Sequence, residues 1–177
     1  MRQKRIRLAA GVAIVAIASV VATTAVAGAD RGGGDFDARL SGYEETPQTL
    51  STTGSGRFEA DVDRRSQVID YELSYSGLEG AVTAAHIHLG RRATTGGVSA
   101  FLCGGGDKPP CPQSGTVEGT IDAADVIGPT AQGIEPGAFA ELVRAMEAGA
   151  TYANVHSSKW PGGEIRGQID GGGGDDD

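Results

Sequence analysis

Asp70-Tyr71-Glu72-Leu73-Ser74-Tyr75 alternates polar and apolar residues one for one, the period of a strand with one face in water and the other in a core. Two more stretches repeat it. Phe36, Ala38 and Leu40 oppose Asp35, Asp37 and Arg39, while Phe58, Ala60 and Val62 oppose Arg57, Glu59 and Asp61. Further candidate strands cover residues 81–89, 97–102, 115–121, 152–156 and 164–169, most of them bounded by clusters of Gly, Pro, Ser or Asp. About eight short strands with frequent turns predict a mainly β domain, an antiparallel sandwich or barrel.

One segment breaks this period. After Pro136, the residues Phe139, Leu142, Val143 and Met146 recur at helical spacing, and Gly149 stands where a helix stop belongs. The expected element is one short helix over 136–148, packed on the sheet. Asp122 is an N-cap candidate for a shorter helical turn over 122–126.

The N-terminus carries Arg2, Lys4, Arg5 and Arg7, followed by an uncharged stretch over 8–29. A basic segment leading into an apolar one reads as a secretory signal. Ala25-Val26-Ala27 offers the small residues of a cleavage site, with Ala29 as the second choice. The expected organisation is a signal peptide over 1–27, a flexible linker over 28–34, a β domain over 35–169 and a disordered acidic Gly/Asp tail over 170–177. An uncleaved anchor is the alternative, and only then would the chain meet a membrane. Four of the 15 Lys and Arg leave with the signal while all 23 Asp and Glu stay, so the mature chain carries a net charge of about −12. Phosphate backbones demand clustered Lys and Arg, and no such stripe occurs, so nucleic acid is not an expected partner. Export also bears on Cys103 and Cys111, which flank a Gly-Gly-Gly-Asp-Lys-Pro-Pro loop. In an oxidising compartment a disulfide is the expected outcome.

The chain has three histidines, His86, His88 and His156. Strand parity puts His86 and His88 on one face and Ala85, Ile87 and Leu89 in the core. The same rule turns Ala153 and Val155 inward and Asn154 and His156 outward. Glu164, Arg166 and Gln168 turn away from Ile165, Gly167 and Ile169. His86, His88, His156, Asn154, Glu164 and Arg166 are therefore expected on one polar, non-core surface. Three imidazoles, two of them from one strand face, suit a facial copper or zinc site with an open position. Glu164 or Glu45 would complete the shell or orient a ring. The competing structural role has the rings bonding backbone groups at the mouth of the sandwich, with an ion pair between Glu45 and Arg166. Trp160 is read as a hydrophobic plug beside His156, a lid being the alternative. Ser157 and Ser158 follow His156, but successive strand residues point to opposite faces, so no nucleophile–base pair results. Gly104 to Gly106 lack the Lys-Ser/Thr pair of a phosphate loop.

Three ordered motifs carry a family resemblance: Leu40-Ser41-Gly42-Tyr43-Glu44-Glu45-Thr46-Pro47, Ala85-His86-Ile87-His88-Leu89-Gly90, and Tyr152-Ala153-Asn154-Val155-His156 followed by Pro161-Gly162-Gly163-Glu164-Ile165-Arg166-Gly167-Gln168. Together they resemble the CHRD domain, named for chordin and found as single domains in many bacterial exported proteins. The resemblance covers 36–169 and implies an extracytoplasmic, largely β domain with no enzymatic activity to carry over. Ser157 stands where the family usually has Thr, which keeps a hydroxyl. The His-Ile-His-Leu-Gly stretch is also locally similar to the first copper-ligand segment of copper/zinc superoxide dismutases. Three histidines are too few for that paired site, although a mononuclear centre remains open. The expected function is a secreted, non-enzymatic binding module with a His-rich polar surface for an extracellular protein. The alternative is a mononuclear copper or zinc protein with three His ligands, with redox activity as an option.

Overall fold

In the computed structural model the described residues are 34–171. The expected signal peptide, nearly all of the linker and the tail from residue 172 lie outside them. The alternating stretches become eight strands: β1 (Asp35–Ser41), β2 (Ser55–Asp63), β3 (Val68–Ser76), β4 (Val82–Leu89), β5 (Val98–Cys103), β6 (Gly115–Ile121), β7 (Thr151–Ser157) and β8 (Ile165–Gly171). They form one antiparallel sheet in the order β5-β4-β7-β8-β1-β2-β3-β6. Its two end strands, β5 and β6, approach each other, so the sheet curls into a nearly closed barrel.

Inward residues fill the barrel. Phe58, Ile69, Leu73, Ile87, Leu102, Ile121, Val155, Ile165 and Ile169 are fully buried, and each large apolar side chain contributes about 1.5–3 kcal/mol on leaving water. Barrel closure also needs a glycine. A Cβ on Gly167 of β8 would lie 2.4 Å from the Arg39 carbonyl oxygen of β1, so a side chain there would push the two strands apart.

The helix α1 (Phe139–Glu147) buries Phe139, Leu142, Val143 and Met146, the expected apolar stripe. It begins three residues later than the spacing predicts. Gly137 holds φ at +85°, which places the chain outside the helical region just before the start. Gly149, at φ +58°, ends it as expected. Asp122 caps the short 3-10 turn Ala123–Asp125, accepting from the Ala124 N–H at 2.7 Å. Strand β8 runs to Gly171, two residues past the expected domain limit, because Asp170 and Gly171 pair with Asp37 and Phe36. The tail expected from residue 170 thus starts too early.

Cys103 and Cys111 are disulfide-bonded. The loop they close is tied down further by Lys108, whose Nζ donates to Asp125 at 2.7 Å. Among the described residues no helix is long and apolar enough to cross a membrane.

On the histidine side the sheet has a second cover. Every residue of β7 is buried, because segments 42–50, 90–97 and 158–164 lie across its outer face and bond to it.

Candidate metal centre

Parity sets the site. On β4 and β7, Ala153 and Val155 enter the core with Ala85 and Ile87, which leaves His86, His88, Asn154 and His156 on the outer face. The pairing brings His86 opposite Asn154, His88 opposite Tyr152 and His156 opposite Ala84. Residues two apart on a strand lie close on one face, so the three imidazoles converge. Ring centroids are 4.8 Å apart for His86 and His156, 5.4 Å for His86 and His88, and 5.8 Å for His88 and His156. One ring nitrogen from each histidine lies within 4.8 Å of the others. A common point therefore sits within about 2.8 Å of all three, against roughly 2.0–2.1 Å for a zinc–imidazole bond.

Hydrogen bonding distinguishes the two nitrogens of two of these rings. His88 Nδ1 lies 3.0 Å from the Gly96 carbonyl oxygen, and His156 Nδ1 lies 3.0 Å from that of Pro161. A carbonyl only accepts, so both Nδ1 atoms carry the proton and both Nε2 atoms keep a bare lone pair. Those Nε2 atoms, together with His86 Nδ1, are buried without a partner. Leaving a buried polar atom unsatisfied costs about 1–3 kcal/mol, and three such atoms are gathered here.

The rings are also held neutral. Burial drives His86 down to about 3, helped by His156 and His88. Burial likewise takes His88 down to about 4, against the pull of the Gly96 carbonyl, and lowers His156. Neutral imidazole is the form that ligates metal.

Packing fixes the ring orientations. Tyr152 stacks on His88 at 4.8 Å with the planes 4° apart, and the Arg166 guanidinium lies 3.6 Å above the other face of Tyr152. The rings of Phe101 and His86 meet at 75°, their centroids 4.6 Å apart. His86 is half-buried, while His88 and His156 are buried, so the cluster is approached from the His86 side.

The remaining candidates divide. Asn154 and Glu45 share the histidine face: the Asn154 amide donates to Glu45 Oε1 at 2.7 Å and to the Ile165 carbonyl at 3.1 Å. Burial raises Glu45 to about 7, outweighing the Asn154 hydrogen bond and the Arg166 charge. Arg166 is not ion-paired with Glu45. It donates to Thr46 Oγ1 and, at 3.0 Å, to the Arg91 carbonyl. Glu164 does not share the face at all. It precedes the first residue of β8, so strand parity does not govern it, and its carboxylate accepts from Thr52 Oγ1 and the Glu79 N–H, each at 2.7 Å, and from Ser157 Oγ. Burial pushes this carboxyl up, but the bonds from Ser157, Thr52 and the Glu79 and Gly80 backbone outweigh it and hold the pKa low. The expected polar surface is also covered: Asn154 and Arg166 are each 2 % exposed. Trp160 walls a cleft of about 170 Å³ with Glu45, Pro47, Leu50 and Pro161.

Gly96, Pro161 and Phe101 are absent from the sequence-derived site. The first two act through backbone carbonyls, which leave no mark on residue type. Phe101 arrives through the pairing of β5 with β4.

The described residues thus form an antiparallel barrel that carries a triad of histidines on its outer face. The family model of the CHRD domain matches residues 36–169, nearly the whole barrel, and the chain belongs to the CHRD domain family. Comparison with curated proteins and with solved structures returns no match.

Proposed function

We propose that this chain is an exported, non-enzymatic binding module whose ligand is a single copper or zinc ion held by His86, His88 and His156. One observation carries the reading: the three rings converge, each has a buried nitrogen without a partner, and the opposite nitrogens of two of them donate to backbone carbonyls. That is the outer-shell arrangement by which proteins orient metal-bound imidazoles. A purely structural role would instead bond the inward nitrogens. The burial of Asn154, Arg166 and Glu45 favours an ion over a large protein partner docking on these side chains. Export is supported by the basic-then-apolar N-terminus and by the Cys103–Cys111 disulfide.

Metal content and titration of the purified protein test the function, alongside a His86→Ala/His88→Ala variant. The expected result is one ion per chain, lost in the variant. Absence of stoichiometric copper or zinc under replete conditions would overturn the proposal.

A further inference from the structure

The three-histidine site supplies no negative charge of its own. Its ligands are all neutral, and no Asp or Glu joins the cluster among the described residues. Of the two buried carboxylates among the described residues, Glu164 is engaged by Ser157, Thr52 and the Glu79 N–H, and Glu45 accepts from the Asn154 amide on the histidine face without joining the cluster. The outer shell is neutral too, since His88 and His156 donate to peptide carbonyls and not to carboxylates. A carboxylate there would raise the basicity of the ring and offset cationic charge. Arg166 has the wrong sign for a dication, and its guanidinium lies 3.6 Å from the ring centre of Tyr152, which stacks on His88. Phe101 contributes an apolar ring against His86.

The cost of burying an uncompensated ion grows with the square of its charge, so a dication pays roughly four times the penalty of a monocation in the same surroundings. Cuprous ion is the monovalent metal that three imidazoles hold well. It has a filled d shell, accepts three-coordination and needs no anionic ligand. From this geometry we infer that the site selects copper in the cuprous state over zinc and over cupric ion. The inference rests on the metal-binding reading above and adds which ion the surroundings favour.

Anaerobic titration of the purified protein with Cu(I) against bicinchoninate tests it, in parallel with Zn(II) and Cu(II) against chelators of known strength. The expected outcome is one Cu(I) per chain, bound at least about 100-fold more tightly than Zn(II) and more tightly than Cu(II). Zn(II) or Cu(II) binding as tightly as Cu(I) overturns the cuprous inference and leaves the metal reading standing. Failure of all three ions to bind overturns both. Phe101→Glu supplies the missing negative charge beside His86. In the folded variant, checked by circular dichroism, the preference for Cu(I) over Zn(II) is expected to narrow by at least about tenfold. An unchanged preference in that folded variant overturns the charge argument.

Discussion

His88 and Gly96 are joined across a turn: the ring Nδ1–H donates to the Gly96 carbonyl at 3.0 Å, and the Gly96 N–H donates to the hydroxyl of Tyr152, the ring stacked on His88. One glycine therefore holds both the ligand and the aromatic plate behind it. A Cβ at Gly96 would fall 1.6 Å from the Leu89 carbonyl oxygen, so Gly96→Ala must displace the turn. The expected effect is a loss of metal affinity of about 10–100-fold, read by chelator competition, with the other two ligands intact. Unchanged affinity would show that the anchor is dispensable.

Stability of the metal-free protein is expected to fall in mild acid. His86 and His88 hold folded values of about 3 and about 4 against an ordinary 6.5. Between these limits the unfolded chain binds the extra protons, so their contribution is complete above about pH 6.5 and is lost as pH falls through the folded values. Glu45 acts oppositely: held at about 7 against 4.5, it adds stability at low pH that is lost as pH rises through that window. His86 faces His88 and His156, His88 faces His156 and Arg166, and Glu45 faces Arg166. Two rings outweigh one carboxyl, so the urea midpoint should be lower near pH 5 than near pH 7. His86→Gln/His88→Gln should flatten or reverse that trend, and a flat wild-type profile would contradict it.

Glu164→Gln separates scaffold from site. The carboxylate ties Thr52, the Glu79 N–H and Ser157 together, and weakening such buried charged bonds costs about 1–3 kcal/mol. Denaturant unfolding should show the loss while metal stoichiometry stays at the wild-type value. A drop in stoichiometry in the folded variant would return Glu164 to the site.

The opposite wall of the barrel carries a like-charge ladder. Asp37, Glu59, Glu72 and Glu118 stand side by side across β1, β2, β3 and β6, next to a second row of Asp35, Asp61 and Asp70. Arg57 relieves one end, 2.8 Å from Glu59 and 3.9 Å from Asp37. Glu72 sits between Glu59 and Glu118. Opposed like charges cost a few tenths of a kcal/mol to about 1 kcal/mol per pair, so Glu72→Lys should stabilise the protein by about 0.5–1 kcal/mol. Added salt should move the wild type in the same direction. A destabilised variant would mean that the ladder is already neutralised.

Much of the architecture was legible because strand burial has a period of two. Leu73 and Tyr75, or Ala153 and Val155, announce their faces through residue type alone, and the same parity places His86, His88 and His156 on one outer face. The limits of this reading are local. Glu164 precedes β8, where alternation no longer applies, and Asp170 and Gly171 look like tail until β1 is there to pair with them. The delayed start of α1 turns on the φ of Gly137, which apolar spacing does not encode.

By itself, then, the sequence determined the strand count, the inward and outward sets within the strands, the capping of Ala123–Asp125 and the shared face of the three histidines, since each follows from short-range patterns. Only the tertiary structure decided that the histidine face is covered, that Gly96 and Pro161 orient two of the rings, and that among the described residues no carboxylate joins the cluster. Those properties arise where backbone carbonyls and loops distant in the chain meet one strand, and neither composition nor spacing records such meetings.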